Sequence, residues 1–191
     1  MNEPFLEIEV ALLVARALED LGIEYAVGGS IASGLQGEPR STNDVDLAVR
    51  LKDGDVAALE NRLGPDFVVD AEGLRAAIRE RGSHSIYYLP SVVKVDLFIH
   101  KGEPFDESES ARRVRLPAGE GQAMMFVASA EDILLRKLGW FRLGGEVSDR
   151  QWRDVLGILR VSGPALDRGY LSEWADKLGV ADLLARVLAQ A

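Results

Sequence analysis

Apolar residues recur along this chain at two different spacings. Over residues 5–21 they fall every three or four positions and Gly22 follows, which predicts an amphipathic helix that ends at Leu21. Tyr25-Ala26-Val27 is a short apolar run that predicts a strand leading into two glycines. From Asp44 to Leu51 polar and apolar residues alternate at first, which predicts a second strand with one apolar face.

The same two patterns continue to the end of the chain. Further strands are predicted over 67–69, 83–89, 92–99, 112–116 and 123–127, and further helices over 30–35, 53–63, 72–80, 129–143, 148–161, 167–177 and 179–190. Pro90-Ser91 predicts a hairpin between two of the strands. We therefore expect an α+β fold, with a mixed sheet and flanking helices over residues 1–128 and a helical subdomain over residues 129–191.

Composition and charge limit the classes of function. The 191 residues are 47% hydrophobic and 28% charged, which is typical of a globular protein. The absence of cysteine, of a signal-like segment at Met1-Asn2-Glu3-Pro4 and of a long apolar run predicts a cytoplasmic protein without a membrane span. The net charge of −9 argues against nonspecific binding to nucleic acid, which requires a basic surface.

Candidate chemistry begins with Asp44-Val45-Asp46. Strand alternation places both carboxylates on one face and Val45 on the other, and like charges that close together favour a bound cation. With 15 aspartates in the chain, chance alone gives about one such pair, and Asp53-Gly54-Asp55 is a second one that is typical of a helix cap. The first pair is distinguished by its surroundings.

Two neighbouring motifs complete a site of metal-binding type. Gly28-Gly29-Ser30 lies between a strand and a short helix, where glycines permit close approach and backbone amides face an anion. Asp96 is the one carboxylate within an apolar strand and needs a partner there. Three carboxylates beside a phosphate-binding turn meet the requirements of a nucleoside triphosphate (NTP) with Mg²⁺, for which Mn²⁺ could substitute.

The arrangement of these residues resembles the polymerase-β-like nucleotidyltransferase superfamily. Gly28-Gly29-Ser30 is followed by Gly37, Arg40, Thr42 and the Asp44-Val45-Asp46-Leu47 run, with a third aspartate on a later strand. The spacing is most similar to the minimal bacterial branch, which includes nucleotidyltransferase toxins of abortive-infection (AbiEii-like) toxin–antitoxin pairs. The resemblance implies that Asp44 and Asp46 bind metal and that Asp96 is a third metal ligand or the base. It also implies that Gly28, Gly29, Ser30, Arg40 and Thr42 bind the nucleotide.

Two further segments are similar to later motifs of those toxins. The segment Ala130–Leu138 carries Lys137, and the segment Arg150–Leu156 carries Asp154. The resemblance implies that Lys137 neutralises phosphate and that Asp154 orients the lysine or a second substrate. The implied function is transfer of a nucleoside monophosphate from NTP to a hydroxyl acceptor, which is tRNA, protein or a small molecule.

Structural roles stand beside these functional ones. Asp96 could pair with Lys94, Arg40 with an acid, and Asp154 with Arg150 one helical turn earlier. Lys137 could extend along the core. The side chains expected to have structural or solvent-exposed roles are the core tryptophans Trp140, Trp152 and Trp174, the histidines His84 and His100, and the charged run of Asp106, Glu107 and Glu109 beside a loop.

Two hypotheses from other classes remain at this point. The first is a catalytically idle protein of this fold that binds a partner protein, for which the acidic surface suits a basic partner. The second is modification of a small molecule, as in aminoglycoside nucleotidyltransferases. We expect those enzymes to have longer acceptor domains than the helical segment here.

Overall fold

The computed structural model describes residues 6–119 and 123–190. Its α-helices are α1 (Leu6–Asp20), α2 (Gly29–Gln36), α3 (Val56–Leu63), α4 (Ala71–Glu80), α5 (Pro104–Arg112), α6 (Ala130–Leu143), α7 (Asp149–Ser162), α8 (Arg168–Lys177) and α9 (Ala181–Leu188). Its strands are β1 (Tyr25–Val27), β2 (Asp44–Val49), β3 (Phe67–Val68), β4 (Ser83–Tyr88), β5 (Val93–Ile99), β6 (Val114–Ala118) and β7 (Ala123–Val127). Phe5, where the first helix is predicted to begin, lies outside the described residues.

Within the described residues, the seven strands form one mixed sheet in the order β3-β4-β5-β2-β1-β7-β6. The central strands β2 and β5 are parallel, β2 is antiparallel to β1, and β4 is antiparallel to β5. Every second residue of β2 and β5 is buried, from Val45 to Val49 and from Val93 to Ile99. The polar residues between them therefore share the opposite face, as the alternation predicted.

Helices cover the sheet and extend the core beyond it. Helix α1 packs against β1, β2, β5 and β7, whereas α2 packs against β2 and also against α6 and α7. The contact between α2 and α7 is close at Gly37, where an added Cβ would lie 2.7 Å from the carbonyl oxygen of Ser33 and 2.9 Å from the backbone nitrogen of Ile158. This packing joins the C-terminal helices to the strands that carry the aspartates.

The predicted α+β class and the helical character of the C-terminal part are confirmed, but one segment differs. Residues 104–112 form α5, a helix that the sequence pattern did not predict, and β6 begins at Val114 instead of Arg112. The charged run was predicted to be solvated, yet Asp106 and Glu109 are buried because both accept hydrogen bonds from Arg136 of α6. The ion pairs with Arg136 offset the cost of burying these acids.

Two side chains also differ from expectation. Trp140 was predicted to lie in the core, but its position near the end of α6 leaves it 55% exposed. Asp53 was predicted to cap a helix, whereas the carboxylate of Asp55 accepts the hydrogen bond from the backbone of Lys52. In the described part of the chain, every helix is too short or too polar to cross a lipid bilayer.

Candidate active site

The register of the central strands brings two of the predicted aspartates side by side. Asp46 of β2 pairs with Asp96 of β5, and Asp44 pairs with Lys94 two positions earlier on β5. Because side chains alternate along a strand, all four lie on the same face of the sheet. We call Asp44, Asp46 and Asp96 the carboxylate cluster.

Two neighbours that the sequence analysis did not assign to the site hold Asp96. The ammonium of Lys94 lies 2.8 Å from Asp96 Oδ2 and 3.7 Å from Asp44 Oδ1. The hydroxyl of Ser85, directly across from Asp96 on β4, donates to Asp96 Oδ1 at 2.5 Å. The structural alternative predicted from sequence, in which Asp96 pairs with Lys94, is therefore present. The same lysine also contacts Asp44.

Burial and neighbouring charges both act against ionisation of Asp46. Burial raises its pKa above the ordinary value, and the negative charges of Asp96 and Asp44 raise it further. The positive charges of Lys137 and Lys94 act in the opposite direction but do not cancel this rise. A cation bound here would stabilise the ionised Asp46.

The glycine turn that follows β1 fits closely around Asp46. The backbone nitrogen of Gly28 donates to the carbonyl of Asp46 at 2.8 Å. Gly29 has a φ of +54°, and a Cβ added to it would lie 1.8 Å from Asp46 Oδ2. Glycine is therefore required at position 29 by both backbone conformation and space, and the start of α2 is held against the carboxylate.

A second set of polar side chains lies at the other side of the same turn. Asp154 of α7 accepts hydrogen bonds from Arg40 Nε at 2.8 Å and Arg40 Nη2 at 3.0 Å, and from Lys137 Nζ of α6 at 2.6 Å. Arg40 Nη2 also donates to the hydroxyl of Ser30. We call Ser30, Arg40, Lys137 and Asp154 the lysine–arginine cluster. The alternative pairing of Asp154 with Arg150 is wrong.

Burial and charge act against each other in this second cluster. Lys137 is 4% exposed, and burial lowers its pKa below the ordinary value although Asp154 favours the charged form. Burial opposes ionisation of Asp154, but the hydrogen bonds from Arg40 and Lys137 outweigh it and hold the pKa of Asp154 below its ordinary value. Gln151 accepts a further hydrogen bond from Lys137 at 3.3 Å.

The two clusters meet at the first turn of α2. Gly29 contacts Asp46 of the carboxylate cluster, and its neighbour Ser30 contacts Arg40 of the lysine–arginine cluster. Thr42 precedes β2, where its hydroxyl contacts the backbone of Asp44. All ten sequence-predicted residues thus lie on the β1–α2 turn, the loop between α2 and β2, the strands β2 and β5, and the helices α6 and α7.

The donors of the carboxylate cluster fit a divalent metal in their chemistry. They are carboxylate oxygens, the ligands that Mg²⁺ prefers, and Mg²⁺ commonly takes one or two of them together with phosphate oxygens. No set of three or more His, Cys, Asp or Glu side chains is already gathered into a metal-binding group within residues 6–119 and 123–190. The ammonium of Lys94 lies among the carboxylates instead.

Two clefts of about 400 Å³ and 390 Å³ occur elsewhere on the protein. One is lined by residues that include Glu24, Arg113 and Phe126, and the other by residues that include Gln36, Arg112 and Glu131. Neither contains a residue of the carboxylate cluster. We therefore define the candidate site by its side-chain chemistry and not by these clefts.

The mixed sheet and its flanking helices form a nucleotidyltransferase fold. An antigenic nucleotidyltransferase-like protein from Paracoccidioides brasiliensis has a similar structure, with a TM-score of 0.60 and 19% identity over 96% of this chain and 88% of the other. JHP933 from Helicobacter pylori gives a TM-score of 0.51 and 15% identity over 96% and 80% of the two chains. At these identities the likeness establishes the fold alone.

A third similar structure is that of ANT(2″)-Ia in complex with adenylyl-2″-tobramycin. Its TM-score is 0.52 at 12% identity, and the match covers 96% of this chain and 97% of ANT(2″)-Ia. ANT(2″)-Ia is therefore of about the same overall length as this chain. The amino-acid sequence itself matches no family model and no curated protein.

Proposed function

We propose that this protein is a metal-dependent nucleotidyltransferase that transfers a nucleoside monophosphate from NTP to a hydroxyl acceptor. The observation that carries the proposal is the placement of Asp46 beside Asp96, with Gly29 turned against the Asp46 carboxylate. The fold is compatible with this chemistry, but the same fold serves more than one function. The side chains of the site therefore carry the argument.

Asp44, Asp46 and Asp96 would hold Mg²⁺, or Mn²⁺ in its place. A bound divalent ion supplies neutralisation of the charge that develops on phosphate oxygens during transfer. Asp96 would receive the acceptor proton, with its carboxylate oriented by the hydrogen bond from Ser85. The acceptor oxygen then forms a bond to the α-phosphorus as the bond to pyrophosphate breaks.

The lysine–arginine cluster would bind the triphosphate. Arg40 and Lys137 share Asp154, which fixes two positive groups beside the α2 turn and offsets the cost of burying them. Ser30, held by Arg40, would contribute a hydroxyl to the same phosphates. In this role Asp154 is a positioning residue that acts through Lys137 and Arg40.

NTP binding in the presence of Mg²⁺ tests this proposal directly. A ligand that binds the folded state raises the melting temperature, and saturation at about 100 times Kd adds about 2.7 kcal/mol to the free energy of unfolding. We expect at least one of the four NTPs to raise the melting temperature in Mg²⁺ and to do so less in EDTA. The absence of a shift with every NTP would contradict the proposal.

A partner-binding role is the second candidate, and one observation favours it. The end of α6 and the following loop expose Trp140, Leu143 and Val147, the last two at 79% each. Exposed apolar residues grouped in this way are typical of protein interaction surfaces. If the protein bound a partner protein through this surface and NTP did not change its melting temperature, it would be a catalytically idle protein of this fold.

The acceptor classes are tRNA, protein and small molecules. ANT(2″)-Ia, whose structure holds adenylyl-2″-tobramycin, is matched over nearly its whole length, which makes aminoglycosides a reasonable member of the acceptor panel. A toxin role within a toxin–antitoxin pair is implied by the sequence resemblance alone. Growth arrest on expression of the wild type, but not of Asp46→Asn, would support it. The cytoplasmic location likewise stays a prediction.

A further inference from the structure

Lys94 lies where a cation would neutralise the carboxylate cluster. It precedes Asp96 by two positions on β5 and pairs with Asp44 across to β2, so its side chain shares their face. Its ammonium is 2.8 Å from Asp96 and 3.7 Å from Asp44. One lysine therefore contacts two of the three carboxylates that would bind metal.

The other nearby cations already have a different partner. Lys137 and Arg40 both contact Asp154 at 3.0 Å or less. Among the described residues, the ion pairs of Asp44 and Asp96 are those with Lys94. The lysine offsets the repulsion among three neighbouring negative charges.

We propose that Lys94 is a built-in counter-cation, which occupies the carboxylate cluster in the metal-free protein and leaves Asp96 when a divalent ion binds. This inference rests on the proposed function, because it takes the carboxylate cluster as the metal site. Its consequence is that metal alone binds weakly, since a divalent ion must displace Lys94 and tolerate its positive charge nearby.

The triphosphate gives Lys94 a second partner. Once a nucleotide is present, the displaced ammonium can pair with phosphate oxygens and no longer opposes the metal. Metal and nucleotide should then strengthen each other's binding, and this coupling is reciprocal by thermodynamic necessity. Lys94 would thus prevent the protein from holding metal without nucleotide. This is the role of a positioning residue.

Mn²⁺ binding to the purified full chain, measured by electron paramagnetic resonance of the free ion, tests the inference without any turnover. In the absence of nucleotide, Lys94→Met should bind Mn²⁺ at least about tenfold more tightly than the wild type, because the ammonium that contacts Asp96 and Asp44 is lost. Lys94→Arg keeps the charge and should remain within about threefold of the wild type.

Lys177→Met is the matched control, because it removes the same charge from α8, where Lys177 pairs with Glu173. It should leave Mn²⁺ affinity within about twofold of the wild type, since exposed charges at long range are screened. Lys94→Gln repeats the test if the methionine variant does not fold, as judged by circular dichroism. Unchanged or weaker Mn²⁺ binding by Lys94→Met or Lys94→Gln would overturn the inference. The absence of detectable Mn²⁺ binding in these variants and in the wild type would overturn it too.

A non-hydrolysable ATP analogue extends the test to the coupling. The analogue should increase Mn²⁺ affinity more in the wild type than in Lys94→Met, because Lys94 weakens metal binding only in the absence of nucleotide. An equal increase in both proteins would overturn the coupling. Tighter Mn²⁺ binding by Lys94→Met without any NMP transfer would support the lysine's role and reject the proposed function. NMP transfer by the wild type, together with an Mn²⁺ affinity that is unchanged in Lys94→Met, would support the proposed function and reject the lysine's role.

Discussion

Gly29→Ala is expected to reduce NMP transfer by at least about 100-fold while the protein remains folded. The added Cβ would lie 1.8 Å from Asp46 Oδ2, so either the carboxylate or the start of α2 must move. A displacement of about 1 Å in a positioned catalytic group can cost about 100-fold in rate. The positive φ of Gly29 adds about 1 kcal/mol of backbone strain for alanine. Steady-state transfer and thermal unfolding measure the two effects separately.

Gly28→Ala is the matched comparison within the same turn. Its φ is −119°, and the atom nearest to an added Cβ is the carbonyl oxygen of Asp46 at 4.0 Å. We expect a loss of about tenfold or less, because neither the backbone nor Asp46 must move. Equal losses in the two variants would show that close contact of Gly29 with Asp46 does not determine the activity.

Asp154→Ala is expected to lower the free energy of unfolding by about 3–5 kcal/mol. It leaves the ammonium of Lys137, a residue that is 4% exposed, without its carboxylate partner and removes two hydrogen bonds from Arg40. Lys137→Met should cost only about 1 kcal/mol, because methionine fills a similar volume and Asp154 keeps its two bonds to Arg40. Urea unfolding of the three proteins measures this asymmetry.

The surface pair of Arg142 with Asp182 supplies the control for this comparison. Asp182 is 69% exposed at its side chain, and an exposed ion pair contributes little to stability because water and salt screen it. Asp182→Ala should therefore leave the urea midpoint near that of the wild type. Equal destabilisation by Asp154→Ala and Lys137→Met would contradict this explanation. It would mean that the hydrogen bonds from Arg40 to Asp154 do not compensate for the loss of Lys137.

The carboxylate cluster was predictable from sequence because it depends on strand alternation and on spacing. Asp44 and Asp46 share a face whatever the rest of the fold, and the apolar run around Asp96 predicts a central strand. The register that places Asp46 beside Asp96 was not predictable, because it depends on how β2 and β5 align. Lys94 was noted only as a local partner of Asp96, and its contact with Asp44 required that same register.

The lysine–arginine cluster was predictable only by resemblance. Helical spacing suggested that Asp154 pairs with Arg150, whereas its partners come from the loop after α2 and from α6. Such contacts follow from the packing of α2, α6 and α7, which no local pattern encodes. The exposure of Trp140 was missed for a similar reason, because apolar spacing along α6 does not show where the neighbouring helices end.

The most direct test of the account is transfer of label from α-³²P-labelled NTP to acceptor, with wild type, Asp46→Asn and Asp53→Asn assayed in Mg²⁺. Asp53 belongs to the other Asp-x-Asp pair of this chain, and its side chain is 62% exposed. We expect transfer by the wild type and, within about twofold, by Asp53→Asn, because an exposed substitution outside the site has little effect. Asp46→Asn should lose at least about 100-fold, since metal-assisted charge neutralisation contributes several kcal/mol. Absence of transfer by the wild type with tRNA, protein and aminoglycoside acceptors, or transfer that survives in Asp46→Asn, would contradict the account.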